Sequence, residues 1–434
     1  MNIYILLEIQ KRELYSKILL SLEAAEKGHI VYLGKFTPFL MKNLFNPGIV
    51  HFKSITPGIN RINEMKYLKK KNFILTSMDE EHGIINSNND YVKYRYSKTT
   101  LDLIDRVFTW GKFDYDNLIS KYQKYKNKFI KSGNPRVDFW KKNFEIFFNK
   151  LKNKEFNNYI LISANFEGFG HKTINKVIKF HKQAGYFNRG ASLNEMIIRH
   201  KNSKKLFLKY EKTLNNMATI FEDRQIIIRP HPKDNYKKWF KKFKKFKNIH
   251  IINYGNHSDW IAKAKIVIHS GCTGGLESSL RKINTISYYP IKVNHGHKFA
   301  DVFSNKIYNE KKLFNEIDRI FNGCEEKVEI NKSLIDKRTY NYNGKESYKT
   351  IVKIWSKLSN KLSFKKNNDL LLSLLFFLLK LKLKFLNIDT DTYKFKKFSK
   401  SEVSEIVSRL ISLNSRFSCV KIKFLSDHII KFER

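Results

Sequence analysis

Short apolar runs alternate with amphipathic stretches along most of the chain, and that alternation sets the expected fold class before any motif is considered. Residues 2–7 form a compact apolar run; Ile18, Leu19, Leu22 and Ala25 then recur at helical spacing, and the pattern stops at Gly28. Strand, helix and turn follow from that order. Residues 29–33, 73–76 and 107–110 predict three more strands, each running into polar or glycine-containing sequence suited to a ligand-facing loop. After Gly133-Asn134-Pro135-Arg136 the chain is polar and aromatic as far as about residue 158, and the alternation then restarts. Residues 159–162, 225–228, 249–252, 266–269 and 285–288 predict the strands of a second unit. Strands separated by helices imply parallel, doubly wound sheets. The chain is therefore expected to be α/β, with two Rossmann-like domains, residues 1–150 and 158–357, facing a cleft. From about Leu358 the composition shifts to Leu, Phe and Lys, so residues 358–434 are expected to form a helical tail with a separate role.

Composition narrows the function classes. A chain of 434 residues exceeds one comfortable core, and 42% hydrophobic with 14% aromatic residues is enough to fill two. The formal charge of +43, from 83 Lys and Arg against 40 Asp and Glu, invites a nucleic-acid reading. Lysine is spread over the whole length, however, without zinc-finger spacing, an RNP signature or a basic region leading into heptads, so no nucleic-acid partner is expected. A solvated basic surface or attraction to anionic lipid fits instead. Cys272, Cys324 and Cys419 stand apart with no CxxC pair, which supports neither a disulfide framework nor a cysteine metal site. A reducing cytoplasm is expected, and residues 1–10, which carry Glu8, read as a first strand rather than a signal peptide. The longest apolar run, residues 370–379, is about half the ~20 residues that span a bilayer. With Lys380, Lys382 and Lys384 behind it, it predicts either a helix lying on the inner face of an anionic membrane or a helix packed against the body of the protein.

Two strand-end segments of the second half carry the candidate chemistry. In Ile226-Ile227-Ile228-Arg229-Pro230-His231-Pro232 the prolines stiffen a loop at the carboxyl end of a strand, where open α/β sheets bind ligands. Arg229 offers a planar fork for phosphate oxygens and His231 a proton for a departing phosphate, although a rigid turn is the plain alternative. One strand later, His269 leads into Ser270-Gly271-Cys272-Thr273-Gly274-Gly275 and a helix expected to open with Leu276 and Glu277. Small residues let backbone approach a ligand, and a helix start favours phosphate. Glu277 is expected on the first turn, either accepting from a ribose or as favourable charge at the helix start. Neither the dinucleotide GxGxxG pattern nor a phosphate loop ending in Gly-Lys-Ser/Thr is present, so no redox cofactor is expected.

In the first half, Asp79, Glu80 and Glu81, followed by His82 and Gly83, put three carboxylates and an imidazole at a strand end. Clustered carboxylates raise some of their pKa values and so supply a general base. A solvated acidic loop is the alternative, and a divalent metal is weakly supported because no spaced partner is present. Lys11, Arg12, Trp110-Gly111, Asn134 and Arg136 also fall at strand ends and are secondary candidates for lining the cleft.

Taken in order, Lys11-Arg12-Glu13-Leu14, Asp79-Glu80-Glu81, Trp110-Gly111, Gly133-Asn134-Pro135-Arg136-Val137-Asp138, Asn165-Phe166, Arg229-Pro230-His231-Pro232 and His269-Ser270-Gly271-Cys272-Thr273-Gly274 resemble the bacterial surface carbohydrate (surface polysaccharide) biosynthesis proteins. That resemblance implies a GT-B-like architecture and a glycosyltransferase acting on a nucleotide-activated sugar and a glycan or lipid-linked acceptor. An acidic motif before glycine combined with a His-Pro motif more distantly resembles sialyltransferases that use CMP-linked acidic sugars. By that resemblance Asp79 or Glu80 is the base and His231 stabilises the leaving CMP; His82, standing between the acids and Gly83, departs from the pattern. The His-Pro motif with a Ser/Thr-bearing loop also resembles the CDP-glycerol glycerophosphotransferases of teichoic acid synthesis, which is the alternative activity. A non-catalytic polyanion-binding protein is the remaining one.

Overall fold

A computed structural model describes residues 1–35, 37–81, 92, 94–149, 156–163, 166, 173–183, 185–231, 234, 236–292, 299–324, 331–359, 365–386 and 395–434. The chain divides into two compact units. The first comprises Met1–Gly83, Asn88–Lys150 and Lys332–Arg434, and the second Ile84–Ser87 and Leu151–Asn331.

Six strands of the first unit are parallel: β1 (Asn2–Leu6), β2 (Ile30–Gly34), β3 (Ile49–Phe52), β4 (Ile74–Met78), β5 (Arg106–Thr109) and β6 (Phe129–Lys131). They lie in the order β2-β1-β3-β4-β5-β6. Strands β1 to β4 are buried along their whole length, which is why they read as continuous apolar runs and not as an alternation. The chain order reverses between β1 and β3, making a topological switch point at their carboxyl ends.

The second unit holds β7 (Tyr159–Ser163), β8 (Ile226–Arg229), β9 (Ile249–Ile251), β10 (Ala264–His269), β11 (Asn284–Tyr288) and β12 (Asn305–Ile307), all parallel, in the order β12-β11-β10-β7-β8-β9. Its reversal falls between β7 and β10, the mononucleotide-pair arrangement of the Rossmann fold. One face is covered by the helix Leu193–Ile220, which sets Leu206, Tyr210, Leu214 and Met217 against Ile160, Ile228 and Ile268. The molecule is α/β, with two Rossmann-like units built on parallel strands, as the alternation predicts, and with helices in its C-terminal part.

The C-terminal region differs from the expectation. The sequence pattern places residues 332–357 in the second half and 358–434 in a separate tail, whereas all of Lys332–Arg434 belongs to the first unit. The helix Ser347–Ser359 buries Tyr348, Ile351, Val352 and Trp355, and Trp355 Nε1 donates to Thr76 Oγ1 of β4 at 3.3 Å. The last residues form a hairpin, β13 (Lys421–Ser426) and β14 (Ile429–Glu433), whose second strand pairs antiparallel with β2 and extends the sheet. Gly34, with φ +152°, permits that approach: a Cβ there would lie 2.0 Å from the His428 carbonyl oxygen. Among the described residues no helix is long and apolar enough to cross a membrane.

Candidate functional site

The first unit gathers its marked residues at the carboxyl edge of its sheet. β4 ends at Met78 and delivers Asp79 and Glu80, both buried, to the loop that follows. Arg95 grips Asp79 through Nε to Oδ2 at 2.5 Å and Nη2 to Oδ1 at 2.6 Å, and the Asp79 carbonyl accepts from Trp110 Nε1 at 2.7 Å. Glu80 receives Lys17 Nζ on Oε1 at 2.6 Å and Asn134 Nδ2 on Oε2 at 3.2 Å, while Arg136 Nη1 donates to its carbonyl at 3.3 Å. Carboxylate clustering was expected to raise a pKa here, and Glu80 goes the other way. Burial acts to raise it, but Lys17, Arg136 and Arg12 outweigh burial and hold it below the usual carboxylate range. Glu81 is the least buried acid of the three, 3.2 Å from Arg95 Nη1 and 3.8 Å from Arg12 Nη1. His82 and Gly83 lie outside the described residues.

Lys11 and Arg12 stand half-buried on the first turn of the helix Gln10–Glu26, with Arg12 Nη2 3.0 Å from Glu13 Oε1. Glu13 folds back to accept the Glu8 and Ile9 amides at 3.2 and 3.3 Å, satisfying donors that a helix start leaves open. Across the switch point Lys53 Nζ meets Glu8 Oε2 at 2.7 Å. Lys17, Lys53 and Arg95 were missed from sequence. Only Lys17 carries a signal, one turn after Glu13 on the same face of the helix.

The Gly133–Asp138 motif has a different task. Asn134 caps the short helix Pro135–Asp138 by accepting the Arg136 amide at 2.8 Å, and its own amide donates to Asn341 Oδ1 at 3.1 Å. Asp138 accepts from Asn341 Nδ2 at 2.6 Å and from the Ser347 and Tyr348 amides at 3.1 Å each, capping the helix Ser347–Ser359. Trp110 contributes its carbonyl to the Tyr340 amide at 2.7 Å. Both motifs thus seat the returning chain.

In the second unit β7 ends at Ser163 and β10 at His269, on either side of the reversal. Ser163 Oγ lies 3.2 Å from Cys272 Sγ and 3.2 Å from His257 Nε2. The helix opens at Thr273 and not at Leu276, so Gly274 and Gly275 occupy its first turn and Glu277 the second. There Glu277 is buried, with Oε1 3.4 Å from Arg281 Nη1; this corrects its expected place on the first turn. A Cβ at Gly274 would come 2.6 Å from His257 Nε2, and one at Gly275 2.4 Å from the His269 ring. Glycine is needed at both because imidazoles occupy the space.

His269 supports the loop from beneath. Its Nδ1 accepts the Gly271 amide at 3.0 Å and its Nε2 lies 2.9 Å from Ser304 Oγ, a pattern that assigns the ring hydrogen to Nε2; burial drives its pKa down to about 3. Gly271, at φ +70°, turns the chain, and Ser270 is buried beside it. Cys272 stands at the N-cap position, where its side chain makes no capping hydrogen bond; burial raises its thiol pKa against the opposing effect of Ser163 and the amides of Gly275 and Gly274.

Arg229 was expected to offer its fork to phosphate. Its Nη1 donates instead to the Tyr254 carbonyl and its Nη2 to the Gly255 carbonyl at 2.9 Å, its guanidinium lies 5.6 Å from the centre of the Trp260 ring, and burial lowers its pKa to about 10. It carries the loop that leads to His257. His231 follows half-buried, with its carbonyl accepting the Asp234 amide at 2.7 Å; Pro232 lies outside the described residues. The structure therefore brings Ser163, His257, Cys272 and Gly274 together at the switch point, with Thr273 next in chain. Ser163 and His257 were not singled out from sequence: a serine ending a strand and a histidine starting a helix carry no pattern of their own. Among the described residues no group of three or more His, Cys, Asp or Glu side chains could hold a metal ion.

No protein-family model and no curated protein matches the sequence. Solved structures match the fold. Methanocaldococcus jannaschii UDP-GlcNAc 2-epimerase in complex with UDP-GlcNAc and UDP has a TM-score of 0.51 at 16% identity, covering 82% of this chain and 100% of its own. The S. aureus MnaA-UDP co-structure has a TM-score of 0.50 at 11% identity, covering 85% and 99%. The wall teichoic acid polymerase TagF is similar at a TM-score of 0.48 and 12% identity, covering 83% and 89%.

Proposed function

We propose that the chain acts on a nucleotide-activated sugar and transfers the sugar to a glycan hydroxyl in the synthesis of a bacterial surface polysaccharide. The supporting observation is the second unit's switch point. Ser163 and the Cys272–Thr273–Gly274 turn meet there at the start of a helix, where backbone amides and the helix dipole favour phosphate oxygens. The Cys272 side chain makes no capping hydrogen bond, and a thiol is a weaker acceptor than a Ser or Asp oxygen, so a phosphate competes well for the Gly274 amide. Donor phosphate lies against Ser163, Thr273 and the Gly274 amide in this reading, and His231 on the adjacent strand end protonates or hydrogen-bonds the leaving phosphate. On the first unit Glu81 is the candidate base, because the Glu80 carboxylate is buried against Lys17 and that of Asp79 is held by Arg95.

The donor is a pyrimidine nucleotide. The sialyltransferase resemblance favours a CMP-linked acidic sugar, whereas the UDP in the M. jannaschii and S. aureus structures favours a UDP-linked one. Thermal melting in the presence of CMP, CDP, UDP and UDP-GlcNAc separates them: one nucleotide should raise Tm by several degrees at saturation. Gly274→Val, whose side chain would meet His257 and Ser163, should abolish that rise. His231→Ala should keep it while losing turnover. No rise with any pyrimidine nucleotide overturns the proposal, and conversion of UDP-GlcNAc to another UDP-sugar without an acceptor replaces transfer by epimerisation.

A further inference from the structure

The helix Asp369–Phe385 is mounted firmly on the first unit with its apolar side facing outward. The inward seam is narrow: Leu372 and Phe376, one turn apart, are buried, and the Phe376 ring lies 6.3 Å from that of Phe45. Polar contacts fix both ends. Asn368 accepts the Leu370 and Leu371 amides at 3.1 Å each, buried Lys431 reaches Asp369 Oδ2 at 2.5 Å, and Lys380 reaches Asp427 Oδ2 at 3.0 Å. At about 100° per residue, Leu370, Leu374, Phe377, Leu378, Leu381 and Phe385 share an arc roughly 100° wide opposite that seam. They are 49% to 87% exposed. A helix packed on a soluble protein turns its polar face to water; this one presents large apolar side chains in a single contiguous ridge.

Charge around the ridge narrows the occupant. On the same wheel Lys384 borders one side of the arc and Lys382 the other, and Lys365 and Lys366 precede the helix, in a protein of net charge +43. Lysines at the rim of an apolar arc place their stems along it and their ammonium groups beside anionic headgroups. A convex ridge of Leu and Phe about 25 Å long offers no groove for a complementary side chain, and a fluid acyl layer covers it without needing one. We propose that the helix Asp369–Phe385 lies in the interface of an anionic bilayer and fixes the first unit to that surface.

The test uses the full chain and sedimentation with vesicles of phosphatidylcholine, with and without phosphatidylglycerol. The protein should sediment with the anionic vesicles only. The variant Leu374→Gln/Phe377→Gln/Leu381→Gln keeps the net charge and the buried seam of Leu372 and Phe376, and the three replaced residues are about half exposed, so circular dichroism should be unchanged and melting little changed while vesicle partitioning falls about tenfold or more. Phe377→Trp should shift its fluorescence to the blue on adding anionic vesicles. Unchanged partitioning of the triple variant would assign binding to bulk charge and overturn the proposal. So would a dimer in light scattering that the triple variant abolishes, in a protein that ignores vesicles.

Discussion

Two buried polar residues show how this protein uses charge. Glu80 is ionised beneath the surface because Lys17 is there to meet it, and an ion pair of that depth is costly to break from either side. His269 is kept neutral by burial, with a pKa near 3 and both ring nitrogens occupied. Its neutrality makes stability depend on pH. Above its ordinary value of ~6.5 neither the folded nor the unfolded chain protonates this ring. Below that value the unfolded chain takes up a proton and the folded one does not, so stability is lost as pH falls toward 3. At pH 5 the difference relative to pH 7 is about 2 kcal/mol from this residue. Urea unfolding of wild type and His269→Gln at the two pH values should show the variant losing about 2 kcal/mol less; equal losses would remove His269 as the source. His29 and His51, also lowered by burial, add to the trend in both proteins.

At the scale of elements, the structure turns a motif read as a ligand loop into a clasp. Gly133 has φ +77°, and a Cβ on it would fall 2.1 Å from Asn341 Oδ1, so Gly133→Ala both strains the backbone and displaces the residue that ties Asn134 to Asp138. A loss of about 2 kcal/mol or more is expected in chemical denaturation, with nucleotide-induced stabilisation of the remaining folded protein unchanged. The same loops explain what was legible beforehand. Buried parallel strands such as β1, β4, β7 and β10 announce themselves as apolar runs bounded by turns. β6 and β12 have three residues each with a lysine among them, so neither reads as an apolar run, and β3 carries His51. The switch-point loop was found because glycines and hydroxyls cluster there in sequence. Its partners Ser163 and His257 come from other strands and helices and meet it only on folding, and Arg229, expected to face a phosphate, is held in the fold by backbone carbonyls.

For the whole molecule, the decisive observation is that the C-terminal hairpin extends the sheet to which β1 and β2 belong. β14 pairs with β2, and Ile429, Ile430 and Phe432 are fully buried. Each such side chain stabilises by roughly 1.5–3 kcal/mol, so the three together contribute about 5–9 kcal/mol. That is comparable with the ~5–15 kcal/mol that separates folded from unfolded states in ordinary domains, so the hairpin is part of the domain and not an appendage. Its removal would also bare the edge of β2, an apolar strand with unpaired backbone groups and hence a template for aggregation. A chain ending at Val420 should therefore be insoluble or unfold well below the full-length protein, whereas Lys423→Ala, on the outer strand with its side chain toward solvent, should melt within a degree or two of wild type. A truncated chain that melted cooperatively at the full-length temperature would mean that the first unit is complete without its C-terminal hairpin.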